Sequence, residues 1–399
     1  MAHISQVKKI ALIDPQPFAH SAGYYKAALS CCPKSFPCVV HVYAAIQKKS
    51  MFDTESVLGN ANFRGYKCEL FFKKSISSSR IIQALSAPLF LHWANNLAKK
   101  DEIDHVYFLS LDSILGWLVS PFRKILFSKI TNSFSGIIFN ANAFSLKNQY
   151  SFKKQLVNLY DRRTITKAAV DKNIRHIDFL DHELSKKFDK GRPSIDPWTS
   201  YTKVSKHSAQ KKLDLNPGQK ITILSLGVHH PRKGTQWLIK SLCKLGADGD
   251  KNWHLILAGP IPESSKAEIQ SDLSKLNDLG ITSSVFNSFI GDSETWTFYQ
   301  ASDIFVAPYI NFEGSSNASI RACAAGIPII VSKNQTMVNV IKSYGCGKII
   351  DSYTESSLAE CLSTVRNLIV ENPSFYSDSC RSYAAFHSEE NFRKQIADL

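Results

Sequence analysis

The sequence predicts an α/β protein of two Rossmann-like domains, each a parallel sheet with helices on both faces. Three observations carry this. From residue 220 to residue 370, short apolar strands alternate with helix-length amphipathic stretches. Such alternation requires a parallel sheet covered on both sides. The chain also opens on a strand at residues 10–14, a loop at 15–22 and a helical run at 24–32, as a doubly wound domain does. Between the two regions lies a Pro-rich connector, GRPSIDPW at residues 191–198. We therefore divide the chain into 1–195 and 196–399, and 399 residues suffice for two domains of ordinary size.

The hydrophobic content of 44% and charged content of 21% are globular values. No stretch approaches the roughly 20 uninterrupted apolar residues of a membrane span. The first residues lead straight into a strand, so a signal peptide is not expected and a cytoplasmic setting is. The nine cysteines are scattered without CxxC pairs; we read them as reduced thiols, with no metal site. The net charge of +14 is unevenly placed: residues 1–200 hold 28 Lys+Arg against 15 Asp+Glu. An anionic surface or partner for the N-terminal half follows from that field, alongside the plainer reading of a basic solvated surface. No zinc finger or RNP-like run marks a nucleic-acid binder.

In the N-terminal half, strands are expected at 38–45, 105–111, 136–140 and 173–179. A helix is expected over 80–97. Residues 114–130, ILGWLVSPFRKILFSKI, share its character, with an apolar face, basic flanks and a Trp. Such stretches suit helices lying at a membrane interface; they equally suit helices packed on a sheet. His20 and Gly23 sit in the first loop, either near a cleft or merely solvated.

In the C-terminal half, strands are expected at 221–227, 254–258, 284–290, 303–308, 327–331 and 347–350. Helices are expected at 264–279, 293–301, 337–344 and 355–370, with one more capped by Thr235. The loop NFEGSS at 311–316 follows the strand at 303–308, and Ser316 or Asn317 can cap the next helix. In an open parallel sheet ligands bind beyond the carboxyl ends of strands. Residues 313–317 therefore lie where a ligand belongs: small residues admit it, and a helix start offers N–H groups to phosphate. An ordinary βαβ turn would read the same way.

These residues resemble the donor-site segment of family 4 (group 1) glycosyltransferases, which have the GT-B fold of two Rossmann-like domains facing across a cleft. Glu313-Gly314 match the family's first pair, and Ala322, Ala324, Gly326 and Pro328 match the end of its motif. Residues 227–234, GVHHPRKG, are similar to its G-R-x-x-P-x-K-G loop. Lys233 stands at the phosphate-contacting lysine. Val228 replaces the arginine, and the neighbouring Arg232 is a candidate substitute. Arg321 stands where the family has its second glutamate. Gln335, Thr336 and Asn339 replace a Gly-Gly-x-x-Glu loop, and Asn140 stands where a histidine often faces the sugar.

The resemblance implies a metal-independent, retaining hexosyltransferase with no resident cofactor and a UDP- or GDP-sugar as co-substrate. It assigns Lys233, Glu313 and Asn140 to catalysis. It assigns Gly227, Arg232, Lys233, Gly314, Ser315, Ser316, Asn317 and Arg321 to donor binding. The acceptor expected is a glycan or lipid-linked saccharide, in surface polysaccharide synthesis at the inner face of the cytoplasmic membrane. Because a carboxylate only accepts and Arg321 only donates, three accounts stay open. The nucleotide sits differently, with Arg321 meeting ribose or phosphate, or a different activated sugar is used, or the chain is a catalytically degenerate binding or scaffold subunit; apart from these, Arg321 faces solvent or pairs with an acid.

Overall fold

The computed structural model describes residues 8–15, 24, 27, 38–46, 62–67, 80–139, 144, 152–216, 218–312 and 314–399. The chain forms two compact units, Met1–Thr199 with Ser388–Leu399, and Ser200–His387.

The strands of the first unit are β1 (Lys8–Asp14), β2 (Cys38–Ile46), β3 (Asn62–Lys67), β4 (His105–Phe108), β5 (Phe134–Ile138), β6 (Ile174–Phe179) and β7 (Gly191–Pro193). They pair in the order β3-β2-β1-β4-β5-β6-β7, all parallel. Central β1 is an unbroken apolar run with Ile10 to Ile13 fully buried, as a strand covered on both faces requires. Two strands were not legible in the sequence. β3 (NFRGYK) is a polar edge strand with no apolar run, and β7 has three residues.

Helix α1 (Arg80–Lys100) packs on this sheet through Ala87, Phe90, Leu91, Ala94 and Ala98. The 80–97 stretch is therefore a core helix, which accounts for its apolar face. The 114–130 stretch is not one helix. It breaks into α2 (Leu115–Leu118) and α3 (Arg123–Leu126) around Ser120-Pro121, because proline brings no N–H to an i→i−4 bond. Asn95 of α1 anchors the end of this stretch, its Oδ1 accepting from the Lys129 N–H at 2.8 Å. Next come α4 (Phe152–Val170) and α5 (His182–Ser185). No helix among the described residues is long and apolar enough to cross a membrane.

Between β6, β7 and β4 lies a fully buried acid. Asp178 accepts from Arg192 Nε at 2.8 Å and Nη2 at 3.0 Å, and from the Tyr107 hydroxyl at 2.5 Å. Burial raises its carboxyl above the usual range, while Arg192 and Tyr107 pull it back down.

The second unit holds β8 (Ile221–Leu226), β9 (Trp253–Ala258), β10 (Thr282–Phe286), β11 (Ile304–Ala307), β12 (Ile329–Ser332) and β13 (Gly347–Ile350). Their order is β10-β9-β8-β11-β12-β13, all parallel. The helices are α6 (Lys206–Lys212), α7 (Thr235–Ala247), α8 (Glu263–Asp278), α9 (Asp292–Gln300), α10 (Asn317–Ala324), α11 (Gln335–Tyr344), α12 (Glu355–Glu371) and α13 (Ser377–Phe386). The last helix, α14 (Glu389–Ala397), belongs to the first unit. There Phe392 packs edge-on against Tyr24, and Gln395 donates to the Pro193 carbonyl. Segment 201–204 is tied to the second unit. Tyr201 stacks on Trp296 at 4.0 Å, and its hydroxyl donates to the Ala324 carbonyl.

Buried neutral histidines add to the acid response of both units. His105 lies between Ser133 and Ser135 hydroxyls, and burial, with Lys8 and Arg175 nearby, lowers it from 6.5 to about 3. Burial likewise lowers His254 to about 4. The unfolded chain takes these protons near pH 6.5 and the folded chain does not. Stability is therefore complete above 6.5 and falls as pH drops toward each folded value. Well inside that window the expected loss is about 1.4 kcal/mol per pH unit per histidine. Urea-unfolding midpoints at pH 7 and pH 5 check this; equal free energies at the two would refute it.

Candidate functional site

The order of strands reverses between β8 and β11, which makes the crevice beyond their carboxyl ends the topological switch point of the second unit. Two loops meet there. The first follows β8: Gly227 at φ +112°, then a short 3-10 turn Pro231–Lys233, then Gly234 at φ +69°. The second runs from Pro308 to Ser316, the N-cap of α10. The Ile310 N–H donates to the Arg232 carbonyl at 2.8 Å, locking one loop to the other.

Gly234 shows why the junction is tight. It is left-handed, and a Cβ on it would come within 2.0 Å of the Pro308 carbonyl oxygen. It also serves as the N-cap of α7, a place the sequence suggested for Thr235. Gly234→Ala is expected to cost about 2–5 kcal/mol, adding the left-handed penalty to the clash. Gly218→Ala, at φ +64° with open space around it, costs only about 1–2 kcal/mol. Denaturant melts of the two variants compare them; equal losses would remove the role given to the Pro308 contact.

Lys233 is the centre of the site. Its Nζ donates to the Tyr309 hydroxyl at 3.0 Å and sits 4.3 Å from the centroid of that ring. Tyr309 is buried, and its hydroxyl lies 3.3 Å from Ser316 Oγ. Ser316 Oγ in turn accepts from the Ser319 N–H in the first turn of α10. A chain of three side chains thus ties the cation of the first loop to the start of the helix after the second. A Cβ on Gly227 would come 3.3 Å from Lys233 Nζ, so this glycine leaves the ammonium its space. Arg232 lies beside it, its guanidinium 5.4 Å over the Phe312 ring, and Gly314 packs on the same ring. A cation beside a helix start at the carboxyl edge of a sheet suits a phosphate or diphosphate.

His229 supports the first loop from below. It is buried, its Nδ1 is 2.9 Å from Thr235 Oγ1 and its backbone N–H donates to the Pro260 carbonyl. Burial, with Lys233 close by, lowers it to about 4, so it is neutral at neutral pH and adds no competing charge. His230 Nδ1 accepts from the Arg232 N–H. Both rings therefore serve the turn.

Gly227, Arg232, Lys233, Gly314, Ser315, Ser316 and Asn317 all fall on these two loops or the first residue of α10. Arg321, one turn further on, is directed elsewhere: its Nη1 donates to Asp292 at 2.5 Å and to Thr295 Oγ1 at 3.3 Å, both on α9. It also lies over the Trp296 ring. Of the readings of this residue, the structure contains the pairing with an acid. Glu313, Asn140, His20 and Gly23 lie outside the described residues. Asn334 caps α11, accepting from the Met337 N–H, so the 334–339 segment starts a helix at once. Tyr309 and His229 were not singled out as site residues in the sequence. The signal for Tyr309 was an aromatic hydroxyl directly after the strand and its Pro308.

The family described as "Glycosyl transferases group 1" matches residues 206–368. An alpha-monoglucosyldiacylglycerol synthase of Streptococcus pneumoniae is 25% identical over 190 residues, covering 48% of this chain and 40% of that protein. The chain thus spans less than half the length of this relative. A sucrose-phosphate synthase structure from Thermosynechococcus elongatus superposes with a TM-score of 0.68 at 16% identity, covering 98% of each chain. Anabaena HepE in complex with UDP gives 0.65 at 12% identity, again over 98% of each. Residues 206–368 thus match the group 1 glycosyltransferase family, and the two parallel α/β units have the GT-B fold of the structural neighbours.

Proposed function

We infer that the chain transfers a hexosyl unit from a nucleotide-sugar to a lipid-borne or lipid-linked saccharide acceptor, with retention and without a metal, at the inner face of the cytoplasmic membrane. The observation that carries this is the Lys233–Tyr309–Ser316 chain at the β8/β11 switch point. It holds a cation beside a helix start, an arrangement that suits the charge a leaving diphosphate develops. Transition-state charge met by a preoriented cation and helix start is the main catalytic device in this reading. Lys233, with Arg232, neutralises the diphosphate. The backbone of Gly314 to Ser316 holds the donor, and the sequence resemblance gives Glu313 and Asn140 roles toward the sugar. A uridine donor is supported by the UDP in the HepE structure. A glycolipid acceptor is supported by the diacylglycerol-glycolipid relative, and surface polysaccharide assembly is the setting the sequence resemblance implies.

One observation favours a second reading. Arg321 occupies the position of the family's second acid and is held by Asp292, so that acid's ribose contacts have no counterpart there. A degenerate, binding-only subunit would follow if nothing else holds the nucleotide. A thermal-shift screen of UDP- and GDP-sugars, followed by turnover of any donor that binds, separates the two. Stabilisation with turnover supports the enzyme; stabilisation without turnover supports the binding subunit; no shift with any donor defeats both.

A further inference from the structure

The first unit carries a surface that sugar transfer does not use. Along α3 and the residue before it, Phe122, Ile125 and Leu126 are 64%, 83% and 38% exposed. On α4, Leu156, Leu159 and Tyr160 are 52%, 46% and 61% exposed. Two contacts join α4 to the α2–α3 segment. The Tyr160 hydroxyl sits where a Cβ on Gly116 of α2 would come within 2.3 Å, and Arg123 pairs with Asp171 just past α4. Single exposed apolar residues are ordinary, but six on α4 and the α2–α3 segment that meets it at these two contacts form a patch that calls for a partner.

The charge around the patch selects the partner. Residues 114–130 and 152–170 together hold eight Lys+Arg and one acid, Asp161. Lys124, Arg162, Arg163 and Lys167 are exposed among the apolar side chains. Protein–protein interfaces deplete lysine, and a second copy would set this cationic face against itself. An anionic bilayer suits both features: its acyl boundary takes the apolar side chains and its headgroups take the cations. We propose that the face formed by Phe122–Leu126 and the exposed side of α4 docks the protein on an anionic lipid bilayer. This deepens the reading of a lipid-borne acceptor and rests on it for its purpose, but not for its test.

Flotation of the full chain with vesicles, without donor or acceptor, tests it. The chain is expected to float with phosphatidylglycerol–phosphatidylcholine vesicles, far less with phosphatidylcholine alone, and less as salt rises. Phe122→Ser/Ile125→Ser is expected to lower partitioning more than about tenfold. Lys124→Glu/Lys167→Glu is expected to lower it by about fivefold or more per cation and to flatten the salt dependence. Unchanged circular dichroism melts show that each variant is folded. Absence of the wild-type chain from the floated fraction at low salt overturns the proposal, as does flotation of both variants at the wild-type level. Sedimentation velocity adds an arm: self-association lost in Phe122→Ser/Ile125→Ser while flotation persists assigns the face to a second copy instead. Sugar transfer to a water-soluble acceptor analogue, measured separately, reports on the transfer reading alone.

Discussion

Lys233→Ala lowers kcat/KM for sugar transfer by about 10²–10³-fold while leaving the melting temperature within about 2 °C. The magnitude is that of removing one preoriented donor from a site where negative charge develops. The small stability change follows from the surroundings: Lys233 is half-buried, its partner is a neutral hydroxyl, and no ion pair joins it to an acid among the described residues. Tyr309→Phe is a milder version. The ring stays under the ammonium and only the hydroxyl link to Lys233 and Ser316 is lost, so a drop of about tenfold is expected, in kcat more than in KM. That split identifies Tyr309 as a positioning residue. Steady-state kinetics with the best donor of the thermal-shift screen decide both. Wild-type turnover by Lys233→Ala would remove Lys233 from the mechanism and unseat the site.

Asp178→Ala destabilises the first unit by about 3–5 kcal/mol, the range for removing one partner of a buried ion pair. For a unit of this size that is a fall in melting temperature of about 6–20 °C. The reason is what remains. Asp178 is fully buried and takes two donors from Arg192 and one from Tyr107. Its loss strands a largely buried guanidinium and a fully buried hydroxyl. Asp178→Asn keeps an acceptor for one of them and is expected to cost less. Asp178→Leu combined with Arg192→Met removes both charges and is expected to recover part of the loss. Calorimetry on the three variants checks the order; a double variant no better than Asp178→Ala would show that the ion pair is not the source of the cost.

These predictions differ in how far the sequence announced them. Lys233 was visible because Pro231, Lys233 and Gly234 keep a recognisable spacing in one short loop. Arg321 was visible as a departure, yet its direction was not. Whether a guanidinium on α10 points toward a ligand or toward α9 depends on Asp292, 29 residues earlier, reaching its Nη1. Asp178 gave no signal at all, because its partner Tyr107 is 71 residues away in the chain. The 114–130 stretch was legible in composition and misleading in shape. Its Pro121 breaks the helix, and the break turns Phe122, Ile125 and Leu126 outward.

Local patterns of residues were enough for the fold class, the alternation of strands and helices and the two loops of the second unit. Each is encoded locally: in apolar periodicity, in turn-forming Gly and Pro, and in short spacings. That those loops meet at the β8/β11 switch point, that Tyr309 joins Lys233 to Ser316, and that Arg321 is held by Asp292 is visible only in three dimensions. These are pairings between residues distant in the chain. They depend on strand order and side-chain direction, which no local pattern of residues specifies.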